Sequence, residues 1–402
     1  MKFSKVLKGL TATVLLSSLL FSVCACNKGS SGEGDGEASP VGSSTPVASS
    51  SPAASAVKVP TITWDEAKKK DVAWFKTDEG KRVADNVVLY QRDTGGWPKN
   101  IDMANNLTDL GKRVINNDKK NKDSTFDNGA TYEQMVVLAR AYTATNDEKY
   151  KEAFNKGFDY IIEAQYDNGG WPQFYPDTSG YRRYITYNDN AMVNLLNLLS
   201  DISKGKYEYS FVDEERRQKA AEAVQKGIDC ILKTQITVNG KKTAWCAQHD
   251  NVTLQPVGAR SYELPSISGS ESVGIVRFLM SIENPSAEII DAIQSAVKWF
   301  EESKIYGIEV VKVKGPNYEG GEDVIVKENP KASPIWARFY EIETNTPFFC
   351  GRDGVKKYSL AEIEHERRVG YSWYGNYAGS LLSTDYPAWQ RKYAPDNNVL
   401  AK

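Results

Sequence analysis

Histidine is nearly missing from this chain: only His249 and His365 occur in 402 residues. Zinc hydrolysis through H-E-x-x-H and acyl transfer through a G-x-S-x-G elbow both need sequence patterns that are absent, and so is a phosphate loop. His249 lies in Trp245-Cys-Ala-Gln-His-Asp, where a hydrogen-bonded loop residue is the expected role. Cysteine is scarce as well. Beyond Cys24 and Cys26 only Cys230, Cys246 and Cys350 remain, with no C-x-x-C pair. At most one disulfide can form and a cysteine zinc site is disfavoured, so a large apolar core must hold the fold. Positive charge is not in excess either. The formal net charge is −2, or −5 once Lys2, Lys5 and Lys8 are set aside. A nonspecific polyanion binder would be strongly basic, which argues against nucleic acid. An acidic substrate would need a few placed arginines or a bound cation.

Those three lysines precede a short apolar run at 10–23, too short for a membrane-spanning helix, which ends in Val23-Cys-Ala-Cys26. Residues 1–26 therefore read as a lipoprotein-type signal with Cys26 as the lipidated residue. An ordinary cleaved signal with incidental cysteines is the plainer alternative. Either places the protein outside the cell, and the first tethers it to the cell surface. Residues 27–57 are Ser, Gly, Pro and Ala with almost no large apolar side chain, a flexible linker by composition. The folded domain is expected over 58–402.

Within it a repeat is legible. Leu89-Tyr-Gln-Arg-Asp-Thr-Gly-Gly-Trp97-Pro, Glu163-Ala-Gln-Tyr-Asp-Asn-Gly-Gly-Trp171-Pro and Lys233-Thr-Gln…Trp245 each end a helical pattern on glutamine and then present a tryptophan. Gln91, Gln165 and Gln235 stand 74 and 70 residues apart. A polar loop follows each, then a second helix with apolar residues at helical spacing: Tyr132, Met135, Val136, Leu138, Ala139 and Tyr142; Met192, Leu195, Leu196 and Leu199; Val273, Val276, Phe278 and Leu279. Partner helices are predicted at 150–164, 214–233 and 286–304. Such pairs bury one another's stripes. Three pairs around an axis make an all-α (α/α)3 toroid, with a small irregular β part at 307–314 and 322–327.

The polar loops would meet at one mouth, bringing Asp127, Asp189, Arg260 and Glu271 around one cleft. Helix N-capping is the bland role for the two aspartates. Thr131 and Gln134 already supply a capping box after Asp127, and Asn188-Asp189-Asn190 offers three caps where one suffices. The surplus carboxylates and amides are hard oxygen ligands of the kind Ca²⁺ takes. Arg260, Arg338 and Arg352 suit two-point binding of a uronate, against a plain alternative of surface ion pairing such as Arg352 with Asp353.

Taken together, Gly95-Gly-Trp-Pro-Lys-Asn, Thr125-Phe-Asp-Asn-Gly-Ala-Thr, Ile185-Thr-Tyr-Asn-Asp-Asn-Ala-Met, Gly258-Ala-Arg-Ser-Tyr-Glu-Leu-Pro, Ile335-Trp-Ala-Arg-Phe-Tyr-Glu and Cys350-Gly-Arg-Asp-Gly resemble the family-10 polysaccharide lyases. These are pectate lyases with an (α/α)3 toroid. The resemblance implies a catalytic domain that binds Ca²⁺ and cleaves polygalacturonate or pectin by β-elimination, working as a monomer. Nucleic acid is not a partner, and a membrane is one only through the N-terminal anchor. It implies Asp189 as a calcium ligand, Asp127 as a second acidic residue for metal and substrate, Arg260 as the base, and Arg338 and Arg352 as substrate-binding residues. Arginine is a base only if nearby cations or burial disfavour its charged form, or if the pH is alkaline; calcium and the other two arginines are the expected neighbours, and an alkaline rate optimum is expected. Two rival readings remain: a glycoside hydrolase using Asp127 and Asp189 as its acid and base, and a pectin-binding surface protein whose Trp97 and Trp171 stack on sugars.

Overall fold

The three glutamines that end a helix perform one task three times. Gln91 Nε2 donates to Gly95 O (2.7 Å) and to Ala153 O (2.8 Å), tying the turn after its own helix to the next helix along. Gln165 does the same with Gly169 O (3.0 Å) and Ala223 O (2.9 Å), and Gln235 with Thr243 O and Ala292 O (2.9 Å each). The tryptophan that follows turns back: the indole N–H of Trp97, Trp171 and Trp245 reaches Val87 O, Ile161 O and Ile231 O at 2.7–2.8 Å. Helix-terminal carbonyls that would otherwise be orphaned are thereby satisfied inside the core. All three indoles are fully buried, so Trp97 and Trp171 are not available to stack on a sugar. The structure adds a fourth member that the sequence reading missed. Trp336 is equally buried, and its indole donates to Phe300 O (2.9 Å) at the end of the next helix.

The computed structural model describes residues 62–401; the expected signal at 1–26, lipidation at Cys26 and linker at 27–57 lie outside the described residues. Its helices form two layers. The outer one runs through Asp78–Tyr90, Glu148–Ala164, Glu214–Thr234 and Ala287–Glu302, each packed on the next. The inner one runs through Tyr132–Thr145, Ala191–Ser203 and Glu271–Met280. The predicted apolar stripes supply the contact: Met135, Leu138, Met192, Leu195, Leu196, Leu199, Val276 and Leu279 are buried in one continuous core. The architecture is the (α/α)3 toroid. Cys230, Cys246 and Cys350 are buried free thiols. The β hairpin pairs Ile308–Lys314 with Glu322–Glu328, antiparallel.

Short antiparallel pairings align the polar loops. Phe126 N donates to Gln173 O (3.0 Å) and Thr125 bridges to Phe174, joining the first loop to the second. Ile185 and Thr186 pair with His249 and Gln248, joining the second to the third, and Ile267 and Ser268 pair with Tyr340 and Phe339, joining the third to the C-terminal part. Gly269 permits the last of these, because a Cβ there would meet Ala337 O at 2.2 Å.

His249 is the hydrogen-bonded loop residue expected. Its Nδ1 lies 3.0 Å from Leu254 O and its Nε2 accepts from Cys246 N–H (3.2 Å), so both ring nitrogens are used by the neutral ring. Complete burial, only partly offset by the Leu254 carbonyl, pushes its pKa down to about 4 from 6.5. Acidification therefore protonates the unfolded chain first. Stability is full above the unfolded pKa and falls between pH 6.5 and 4, by a loss of about 3 kcal/mol from this residue. Thermal unfolding across that window should show the fall, and His249→Gln should flatten it.

Candidate active site

Two loops carry the aspartates in matching turns. Asp127–Gly129 and Asn188–Asn190 each form a single 3-10 turn just before an inner helix, and each contains a left-handed residue: Asn128 (φ 51°), and Asp189 and Asn190 (φ 50° and 58°). Asn and Asp tolerate this region better than other non-glycine residues. The twist removes both carboxylates from capping duty. Neither bonds to a helical N–H, and the expected Thr131–Gln134 capping box is not formed. Thr131 itself has φ 65°, which turns its hydroxyl back to accept from Trp97 N (3.2 Å) and donate to Thr125 O (2.9 Å).

Asp127 is buried. Its Oδ2 meets Lys99 Nζ at 2.5 Å, while its Oδ1 accepts no hydrogen bond within the chain. Asp189 keeps 41% of its side-chain surface exposed; its Oδ2 accepts from Asn188 Nδ2 (2.8 Å) and its Oδ1 lies 3.5 Å from Arg338 Nη2. The two turns pack side by side. Burial raises the pKa of Asp189; Arg338 opposes this, while the nearby carboxylates of Glu271, Asp127 and Glu263 add to it.

Arg338 stands at their centre, between the strands Trp336–Ala337 and Phe339–Tyr340. Its Nη2 lies 2.5 Å from Glu271 Oε1 and 3.3 Å from Asn188 Oδ1, and its guanidinium covers the Tyr371 ring at 4.5 Å. Burial is the largest single influence and disfavours its charge, but Glu271, Tyr371, Asp189 and Tyr377 together outweigh it and raise its pKa above the usual arginine range. Arg260 is reached through Tyr371. The Tyr371 hydroxyl donates to Glu263 Oε1 (3.0 Å), and Glu263 holds Arg260 by Nε (2.9 Å) and Nη2 (2.6 Å). Arg260 and Asp189 thus lie along one rim, joined through Glu263, Tyr371 and Arg338.

The surroundings of Arg260 differ from expectation. Burial works against its charge, but the bidentate Glu263 wins and raises its pKa above the usual arginine range. Its closest charged partner is an anion, where cations had been anticipated. Arg352 interacts electrostatically with Tyr262, whose ring centre lies 4.8 Å from the Arg260 guanidinium. Arg352 pairs with Glu366 (2.9 and 3.1 Å), the surface ion pairing of the plain alternative, and Asp353 accepts from Val355 N. Glu263, Tyr371 and Lys99 were missed in sequence. Only Glu263 carried a signal, its i+3 spacing from Arg260.

Among the described residues no three His, Cys, Asp or Glu side chains converge on a metal position. A calcium ion would instead rest on two protein carboxylates, Asp127 through its unpartnered Oδ1 and Asp189 through its exposed face. Water and substrate oxygens would complete the shell, since Ca²⁺ takes 6–8 hard oxygen ligands. The donor chemistry fits. Glu271 and Glu263 are already committed to arginines.

The comparisons identify the family. The pectic acid lyase family matches residues 91–382. A family 10 polysaccharide lyase from Cellvibrio cellulosa superposes with a TM-score of 0.69 at 35% identity, over 81% of this chain and 95% of that one. An aspartate-to-alanine variant of the Cellvibrio enzyme, in complex with trigalacturonic acid, matches with a TM-score of 0.68 at 35% identity, over 83% of this chain and 100% of that one. No curated protein sequence matches the chain. On the family match, and on likeness to a relative shared over most of both chains, this protein belongs to the family-10 polysaccharide lyases and is a pectate lyase.

Proposed function

We propose that the chain cleaves polygalacturonate by calcium-dependent β-elimination, with Arg260 as the base, Asp189 and Asp127 as the cation ligands, and Arg338 and Arg352 as the residues that hold uronate carboxylates. The observation that carries this reading is the contact path from Arg260 through Glu263, Tyr371 and Arg338 to Asp189. It links Arg260 to the partly uncommitted carboxylate of Asp189, beside which the Asp127 turn packs, and this supports the reading. The complex of the Cellvibrio relative with trigalacturonic acid supports the substrate class.

The hydrogen at C5 of a galacturonate is poorly acidic because the adjoining carboxylate repels the charge that builds up when it leaves. Bound calcium supplies Lewis-acid withdrawal from that carboxylate. Arg338, locked by Glu271 and stacked on Tyr371, offers its Asp189-facing edge to the same group. Arg260 takes the C5 proton, the C–H electron pair becomes the C4–C5 double bond, and the C4–O bond breaks. The departing oxygen takes a proton from water. A 4,5-unsaturated uronide is left. Glu263 fixes the orientation of Arg260 and at the same time resists its deprotonation. The base is therefore effective only at alkaline pH, helped by positive charge brought beside it in the substrate complex.

Three outcomes follow. Polygalacturonate should gain near-UV absorbance with the enzyme, and EDTA should lower the rate at least about a hundredfold, restored by Ca²⁺; absorbance growth indifferent to EDTA would refute the calcium role. Arg260→Ala should lower kcat by about 10²–10⁴-fold, and Arg260→Lys should keep part of the rate with its pH profile moved toward acid. An Arg260→Lys enzyme with full rate and an unmoved profile would remove Arg260 as the base. Glu263→Gln takes away the carboxylate that holds Arg260 charged, so the rising limb of the kcat/KM profile should shift to lower pH. A shift the other way would contradict this assignment.

A further inference from the structure

The carboxylate pair comes with a cation of its own. Lys99, two residues after the buried Trp97, places Nζ 2.5 Å from Asp127 Oδ2, and its ammonium lies 5.6 Å from the centre of the Phe174 ring. The Lys99 side chain is 30% exposed while that of Asp127 is 5% exposed, so the lysine comes in from the open side of the turn. The next cation outward, Arg182, covers the same ring at 4.9 Å and is tied to Asp177. A divalent ion on Asp127 would thus arrive beside an ammonium, and like charges at such range in a half-buried site oppose one another strongly. Asp127 cannot serve both cations fully.

We infer that Lys99 is an exchangeable counter-ion: it neutralises Asp127 in the free enzyme and transfers to a uronate carboxylate when substrate binds, so that calcium and substrate bind cooperatively. This rests on the calcium reading above. The lysine stem is flexible, its ammonium is a mobile point charge, and Phe174 gives it a ledge on the solvent side. A carboxylate on the incoming chain draws the ammonium away, Asp127 regains its full charge, and the cation is held more tightly. By linkage the cation must strengthen substrate binding by the same factor. Without substrate, Lys99 keeps the site weak for divalent ions.

Calorimetric titration of Ca²⁺ into the substrate-free protein tests this without any turnover. Lys99→Met should bind Ca²⁺ about tenfold more tightly than the wild type, within the usual range of coupling between sites. Lys99→Gln, which keeps a hydrogen bond to Asp127, should also tighten it and covers the case in which the Met variant does not fold. Lys99→Arg, which retains the charge, should stay near the wild type. In an Arg260→Ala background, trigalacturonate should tighten Ca²⁺ binding more when Lys99 is present than when it is Met. Calcium affinity unchanged or weakened in both neutral variants overturns the role of Lys99 alone. Absence of Ca²⁺ binding to the wild type, with and without trigalacturonate, overturns the calcium reading and this inference together.

Discussion

A single buried guanidinium holds the rim together. Arg338 is almost fully enclosed and reaches Glu271 on an inner helix, Asn188 and Asp189 on the second loop, and the ring of Tyr371 near the C-terminus. Burying a charge is costly unless it is paired and hydrogen-bonded, and breaking such a pair costs about 3–5 kcal/mol. Arg338 and Glu271 are therefore bound to each other before they can serve anything else. The grip is uneven. Glu271 is held at 2.5 Å, whereas Asn188 and Asp189 are held at 3.3 and 3.5 Å. An incoming carboxylate can compete for the loose edge of the guanidinium without disturbing the tight one.

The same unevenness sorts the acids. Glu271 and Glu263 are nearly sealed from solvent and each is consumed by an arginine. Asp189 is exposed on one side, and Asp127 has one oxygen with no partner in the chain. Net charge at the rim is close to balanced, which suits a protein of formal charge −2 acting on a polyanion. With a net charge this low, recognition depends on exchanging partners within a fixed set of charges more than on a large overall positive charge.

What the sequence revealed follows the range of the interaction involved. Helix existence and the glutamine–tryptophan repeat were legible because apolar spacing and turn residues act locally, and the structure turns them into the same carbonyl clamp in each unit. Trp336 escaped notice because no glutamine at the matching distance announces it. Convergence of Asp127, Asp189 and Arg260 was inferred from the repeat and from the family motifs; in the structure the two aspartate turns pack together and a contact path through Glu263, Tyr371 and Arg338 joins Arg260 to Asp189. The Thr131–Gln134 capping box was misread because the sequence shows a threonine at a helix start, where capping is the common outcome, and does not show its positive φ. The surroundings of Arg260 were misjudged for a related reason. Whether an anion or a cation lies nearest a guanidinium depends on side-chain direction, and Glu263 is three residues away while Arg352 and Arg338 are far along the chain.

That backbone twist has a cost. Left-handed geometry at a non-glycine residue costs roughly 1–3 kcal/mol, and for β-branched Thr131 it is a true outlier. Thr131 is held there by two hydrogen bonds, to Trp97 and to Thr125, both in the loop it closes. Trp97 is itself anchored to the outer helix through Val87 O. The scaffold clamp and the strained turn are thus one mechanical unit: Trp97 seals the helix end with its indole N–H and keeps Thr131 in place with its backbone N–H. With the turn so braced, Asp127 is spared the helix N-terminus and one of its oxygens stays without a partner. A relaxed turn with Asp127 as an ordinary cap would be more stable locally and would have no oxygen left for a cation.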